Sequence, residues 1–201
     1  MKILALELSS AAASLAVTKD GSLTDVRRFD APRGRGAEVF ALLDQMRVSW
    51  TGLDRLAVGL GPGSYNGLRV ACALAGSFQL ALGIELVTAP SCCLLDVDDP
   101  HYIAAGDARG DRIWWAEVHE RRLTIDIALV PHTEFRQRAE TAALPLYRVG
   151  PIRDFETLPA ATPDAAVLAA LADHLEPIDP ASLEPLYLKP PHITLPRAAR
   201  P

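Results

Sequence analysis

Cysteine is scarce: there are three in 201 residues, with Cys92 and Cys93 adjacent and Cys72 alone. That excludes a disulfide framework and leaves no zinc-ligand spacing, so reduced, buried thiols of a cytosolic protein are expected. Basic residues are in deficit, 20 Lys and Arg against 25 Asp and Glu, for a net charge of −5. Unaided grip on nucleic acid needs a cationic surplus against phosphate and is disfavoured. No apolar run approaches the roughly 18 to 20 residues of a membrane span. Residues 1–17, "MKILALELSSAAASLAV", imitate a secretory signal, but Glu7 interrupts the run and the segment alternates as a strand pair does, so a cytoplasmic chain is expected. The five histidines, His101, His119, His132, His174 and His192, form no H-x-x-x-H pair or His-Glu cluster, which argues against an imidazole-held metal. A G-x-S-x-G nucleophile elbow is missing as well.

What is present is a core. Hydrophobic residues make up 49% of the chain, ordinary for a folded globular protein. "KILALEL", "SLAVTKD" and "SLTDVRRF" read as three strands, with Asp20-Gly21 as the hairpin signal. Val39, Leu42, Leu43 and Met46 then recur at i, i+3, i+4, i+7, one face of a helix. "RLAVGL" reads as a buried strand and is followed by a glycine-rich loop, Gly61 to Gly67. Beyond the loop, Ala71, Leu74, Ala75, Phe78 and Leu82 again keep the helical period, and "IELVTA" closes a βββαβαβ order.

About one hundred residues later the opening returns in "YIAAGDARGDRIWWAEVHERRLTIDIALV", a spacing that points to a duplicated unit and not a short-period solenoid. Glu7 matches Asp107, and the turn Lys19-Asp20-Gly21 matches His119-Glu120-Arg121. The second half is poorer: after "LYRVG" only "DAAVLAALADHL" reads clearly as a helix, with Val167, Leu168, Leu171 and Leu175 on one side. The proline-rich end, "LEPLYLKPPHITLP", is expected to run extended along the body. The fold class expected is therefore α/β, an actin-like (ASKHA, ribonuclease H-like) duplicated βββαβαβ fold with a reduced second half. Residues 1–98 would form the N-terminal subdomain and 99–201 the smaller C-terminal one.

In such folds a nucleotide sits between the halves. Glu7 and Asp107, each ending the first strand of its half, would face one cleft and hold a hydrated Mg²⁺, although strand-end carboxylates are often merely solvated. Ser9, Gly61, Gly63 and Ser64 complete this candidate nucleotide cleft. The loop's backbone N–H groups can receive an anion, but it lacks the Gly-Lys-Ser/Thr of a P-loop and its third glycine falls one residue late for the dinucleotide fingerprint. The competing reading is a tight turn with Ser64 or Asn66 capping the helix. The helix after it is small or apolar nearly all round, so it is either central to the core or shared with a partner. Trp114 and Trp115 are expected on opposite faces of one strand.

The segments "LALELSSAAASLAV", "LGPGSYNGLRVACALAGSFQLALG", "APS", "GDARGDRIWWAEV" and "EPLYLK", spanning nearly the whole chain in order, resemble the TsaB (YeaZ) family of threonylcarbamoyladenosine biosynthesis. The resemblance implies a chain without catalysis of its own. It would act as a scaffold for the related TsaD-like protein, which carries the catalytic metal on histidines, in modifying the adenosine beside the tRNA anticodon. It implies contact with TsaD through the two N-terminal helices, carried here onto Val39, Leu42, Leu43, Met46, Ala71, Leu74, Ala75, Phe78 and Leu82, with homodimers able to use the same surface. A TsaE-like ATPase would join the assembly, no cofactor would belong to this chain, ATP or ADP with Mg would bind within the complex, and tRNA would be met only there, with Arg109, Arg112, Arg121 and Arg122 able to contribute. Two departures stand out: the family's Asp-Thr-Ser after the first strand reads Glu7-Leu8-Ser9, and its His-Ser before the first helix reads Gly36-Ala37. An actin-fold ATPase or small-molecule kinase using Glu7 and Asp107 is the alternative; a peptidase lacks both nucleophile and metal ligands.

Overall fold

A computed structural model describes residues 1–30, 36–46 and 50–189. Strands β1 (Lys2–Glu7), β2 (Ala12–Lys19), β3 (Ser22–Asp30), β4 (Arg55–Gly59) and β5 (Glu85–Ala89) form one sheet in the order β3-β2-β1-β4-β5. β1 is antiparallel to β2 and parallel to β4, and β4 is parallel to β5. Helices α1 (Gly36–Gln45) and α2 (Tyr65–Leu82) connect the parallel strands. The β2–β3 turn falls at Asp20 and Gly21, both at positive φ, the geometry that matches the twist of paired strands.

β1, β2 and β4 are buried on both sides, which is why they read as continuous apolar runs. Leu4, Leu6, Leu15, Leu56 and Val58 pack against Val39, Leu43, Ala71, Leu74 and Ala75 of α1 and α2. The opposite side carries a row of small residues: Ala5 stands opposite Ala16 in β2 and Ala57 in β4. On that row lies α4 (Ala165–Leu171), through Ala165, Leu168 and Ala169. Alanine against alanine lets helix and sheet approach closely, as a close-packed layer of small side chains requires.

The second sheet comprises β6 (His101–Asp107), β7 (Arg112–His119), β8 (Arg122–Leu123), β9 (Ala128–Pro131) and β10 (Leu146–Arg148), in the order β10-β6-β7-β8 with β9 also on β7. β6 is antiparallel to β7 and parallel to β10, which repeats the relations of β1 to β2 and β4. The structure is thus the expected actin-like α/β unit, present twice with a reduced second half. Trp114 and Trp115 are both buried, in separate clusters on the two faces, as alternation requires.

Three details differ from expectation. "LTIDIALV" is not one strand but two short ones, β8 and β9. A helix unseen in the sequence, α3 (His132–Glu140), occupies the place in the second unit that α1 has in the first; its inward residue is Phe135, and Glu134 and Arg138 pair along its side at 2.6 Å. The helix of the second half is α4 followed by a 3-10 turn, Ala172–His174, and it covers the first sheet. The described part of the C-terminal segment lies along the body: Ile178 N donates to Leu86 O, Leu186 N to Leu60 O, and Lys189 Nζ to the carbonyls of Ala108 and Arg109. Its residues 190–201 lie outside the described ones. Among the described residues no helix is long and apolar enough to cross a membrane.

Arg55 ties α4's end to the sheet. Its guanidinium donates to Ala172 O (2.6 Å) and Leu175 O (3.1 Å) and pairs with Glu85 at 2.6 Å. Arg55→Met leaves these carbonyls without their donor, and a loss of about 1.5–3 kcal/mol is expected in urea unfolding. A midpoint unchanged from the parent would show that α4 is held by its alanine face alone.

Candidate functional site

β1 ends at Glu7, and the next residues pass directly under the glycine loop. Three glycines answer three successive residues: a Cβ on Gly59 would overlap Glu7 Oε2, one on Gly67 would overlap Leu8 O, and one on Gly63 would overlap Ser9 O. Glycine is needed here for close approach, and at Gly61 also for a φ of +97°. The Gly61–Pro62 peptide is cis. Ser64 N donates to Ser9 O, and the Ser64 hydroxyl accepts from Gly67 N at 3.3 Å, capping α2. Gly61 N donates to Ser91 Oγ at 2.8 Å, while Ser91 N donates back to Gly61 O at 2.6 Å. The loop is a tight turn that starts a helix, with Ser64 and not Asn66 as the cap, and the N–H groups of Gly61, Ser64 and Gly67 are spent inside the chain.

Glu7 and Asp107 do end equivalent strands, but they do not form an open pair. Glu7 is wholly buried. Its Oε1 accepts from Ser9 N at 2.8 Å and its Oε2 from Ser91 Oγ at 2.9 Å. Asp107 is exposed, and its Oδ1 accepts from Arg109 N at 2.8 Å. The physical reason is that α4 closes the sheet face on which Glu7 lies: Ser14, opposite Glu7 in β2, accepts from Ala165 N at 2.8 Å. Asp164 caps α4 and pairs with Arg28 at 2.5 Å. Burial pushes the Glu7 carboxyl above its ordinary range, with hydrogen bonds from Ser9 and Ser91 pulling the other way and Asp164 adding to the rise. Cys92 and Cys93 are buried free thiols, and Cys92 is raised well above its ordinary value by Cys93 and by burial. Among the described residues no group of three or more His, Cys, Asp or Glu is gathered that could hold a metal.

The helix residues expected at a partner interface fall in two classes. Val39, Leu43, Ala71, Leu74 and Ala75 are buried against the sheet, so they belong to the chain's own core; an amphipathic stripe points inward first. Leu42, Met46 and Phe78 are half-buried beside it, and Leu82 is exposed. The outward residues are ones the periodicity passes over: Phe40 is 56% and Leu80 86% exposed. Trp50 stacks on Phe78 with centroids 4.8 Å apart, and Tyr65 meets Tyr187 of the C-terminal segment at 5.3 Å. Their signal in the sequence is an apolar residue off the core stripe. Of the arginines considered for tRNA, Arg109, Arg112 and Arg122 are exposed, whereas Arg121 is spent on Leu95 O and Val97 O.

Because Glu7 is raised in the fold above its ordinary 4.5, the folded chain binds that proton more tightly than the unfolded one. The associated stability is complete below about pH 4.5 and is lost as pH rises through the folded value. Relative to Glu7→Gln, which cannot titrate, the parent's thermal midpoint is expected to fall as pH goes from about 4 to 7. Parallel curves for the two proteins would refute the shift.

Residues 37–134, just under half of the chain, match the family model described as TsaD, tRNA N6-adenosine threonylcarbamoyltransferase. The chain is 30% identical over 130 residues to the tRNA threonylcarbamoyladenosine biosynthesis protein TsaB of Escherichia coli, covering 58% of this chain and 54% of that protein. It is 29% identical over 138 residues to the protein of the same description from Haemophilus influenzae, covering 63% and 57%. The match thus spans little more than half the length of these curated relatives. Among solved structures, YeaZ from Pseudomonas aeruginosa superposes with a TM-score of 0.71 at 24% identity, over 93% of this chain and 99% of that one. An uncharacterized protein with similarity to peptidase YeaZ from Pseudomonas aeruginosa gives 0.75, also at 24% identity, over 94% and 99%; these two likenesses speak for the fold. Taken together with the βββαβαβ unit and its glycine loop, these similarities support a TsaB/YeaZ family assignment.

Proposed function

We propose that the chain works in the synthesis of threonylcarbamoyladenosine in tRNA, as the non-catalytic subunit that binds and supports a TsaD-like catalytic protein. The observation that carries this reading is the outward apolar surface of α1 and α2: Phe40 and Leu80 are large, exposed and unused by the core, while the same helices are anchored from beneath. Exposed aromatic and aliphatic side chains on rigid helices are the kind of anchor around which interfaces concentrate their binding energy. In this reading two copies of the chain can pair on the same face when the catalytic protein is absent, and a TsaE-like ATPase joins the assembly in the cytoplasm. Nucleotide with magnesium and the tRNA are engaged by the assembled complex. That division of labour agrees with a Glu7 sealed inside the chain and an acidic net charge.

Size-exclusion chromatography with light scattering, on the chain alone and mixed with the TsaD-like protein of the same organism, tests the reading. A complex is expected for the parent. Leu80→Glu and Phe40→Glu, both on exposed positions, should leave the fold intact and weaken the complex roughly tenfold or more. Independent elution of the two parent proteins, or complexes indifferent to both substitutions, would overturn it.

A further inference from the structure

We propose that Glu7, acting through Ser91, is the positioning residue of α2: the buried carboxylate sets where the helix starts and so how its outward face is presented to the partner. Only the partner arm of this inference rests on the function proposed above.

Both carboxylate oxygens lead to the same short turn by separate routes. Oε1 accepts from Ser9 N, and the Ser9 carbonyl accepts from Ser64 N, the helix cap. Oε2 accepts from the Ser91 hydroxyl, whose oxygen accepts in turn from Gly61 N. One side chain therefore grips the turn at its entry, Gly61, and at its exit, Ser64. Hydrogen bonds to a carboxylate are among the stronger ones, and in a buried site the chain of donors reinforces itself. The steric contacts close the remaining freedom, because Gly59 admits the carboxylate while Gly63 and Gly67 let the loop rest on the Ser9 and Leu8 carbonyls. A loop that moved toward β1 would clash, and one that moved away would strand a buried carboxylate.

The consequence reaches the far end of the helix. α2 has 18 residues, about 27 Å at 1.5 Å per residue. Leu80 sits near its C-terminal end, so a tilt at Ser64 is carried along that length to the outward face. Neither Glu7 nor Ser91 is exposed, so neither can touch a partner, and any effect of theirs on binding must pass through the helix.

Hydrogen–deuterium exchange of residues 61–68 decides the positioning arm, on Ser91→Ala and on Glu7→Ala with and without sodium formate. Ser91→Ala keeps the Ser9 route and cuts the Gly61 route. Exchange across the turn and the first turn of α2 is expected to rise roughly tenfold or more, with β1 and β2 unchanged. Glu7→Ala should loosen the same segment further, and formate, a carboxylate small enough for the vacated space, should restore protection where equal sodium chloride does not. If Glu7→Ala does not fold, Ser91→Ala alone carries the decision. Unchanged exchange at 61–68 in Ser91→Ala, or equal effects of formate and chloride, would overturn the proposal. Affinity for the TsaD-like protein should fall in Ser91→Ala by a similar factor; full affinity despite a loosened turn would overturn the link to the outward face. Absence of any complex with the parent protein would sink the function proposed above, and the exchange result would still stand or fall by itself.

Discussion

The backbone of Leu8 and Ser9 lies directly against the backbone of the glycine loop, and much of the first unit follows from that contact. With any side chain at Gly63 or Gly67 the two segments could not meet. Their meeting fixes the direction in which the chain leaves β4, and hence the line along which α2 crosses the sheet. Once α2 is in place, Ala71, Leu74 and Ala75 cover Leu4, Leu6 and Val58, and burial of this apolar area supplies the stability that the tight loop alone cannot. The cost is conformational: several glycines must be ordered, each losing more freedom than another residue would. The hydrogen bonds that converge on Glu7 and Ser91 offset part of it.

A buried carboxylate is a poor way to gain stability, since desolvation opposes it and a well-packed apolar residue would do as well or better. Its use here is better understood as specificity of geometry. Leucine in place of Glu7 could fill space but could not receive Ser9 N and Ser91 Oγ, and Gly59 would have no oxygen to accommodate. The carboxylate defines one position for the turn where an apolar contact would permit several. The same division holds at Arg55, where a charged group at the edge of the core selects the place at which α4 and its following turn end.

How much of this was legible in the sequence depends on which physical signal each element carried. β1, β2, β4 and α2 were plain because their burial imposes a period or a continuous run. The hairpin at Asp20-Gly21 was plain because it needs residues that tolerate positive φ, and the matching turn at Glu120 and Arg121 adopts the same sign without glycine. α3 was hidden because it buries little beyond Phe135 and is otherwise charged; its trace is the Glu134–Arg138 pair four residues apart. The placement of α4 on the first sheet was also hidden, since periodicity tells which face is apolar and not what it meets. At the site, the equivalence of Glu7 and Asp107 along the chain was correct. Their opposite exposures depend on the covering of one sheet face by a helix from the other half.

Placing α4 on the first sheet also bears on why the two halves differ. The first sheet is covered by α1 and α2 on one side and α4 on the other, whereas the second has α3 against one face and relies on loops and the Ser91–Leu94 turn at the other. That turn carries Ser91 at its start and Cys92 and Cys93 in the core beneath Trp114, so one short segment belongs both to the hydrogen-bond chain of the glycine loop and to the packing of the second sheet. The C-terminal segment makes a second link of this kind, bonding Leu60 beside the loop and then Ala108 and Arg109 in the β6–β7 turn. Displacement of the second unit would therefore pull on Gly61 from two directions. The reduced half thus acts mechanically. It braces from behind the loop from which α2 starts, while Phe40 of α1 and Leu80 of α2 stay exposed on the outward side.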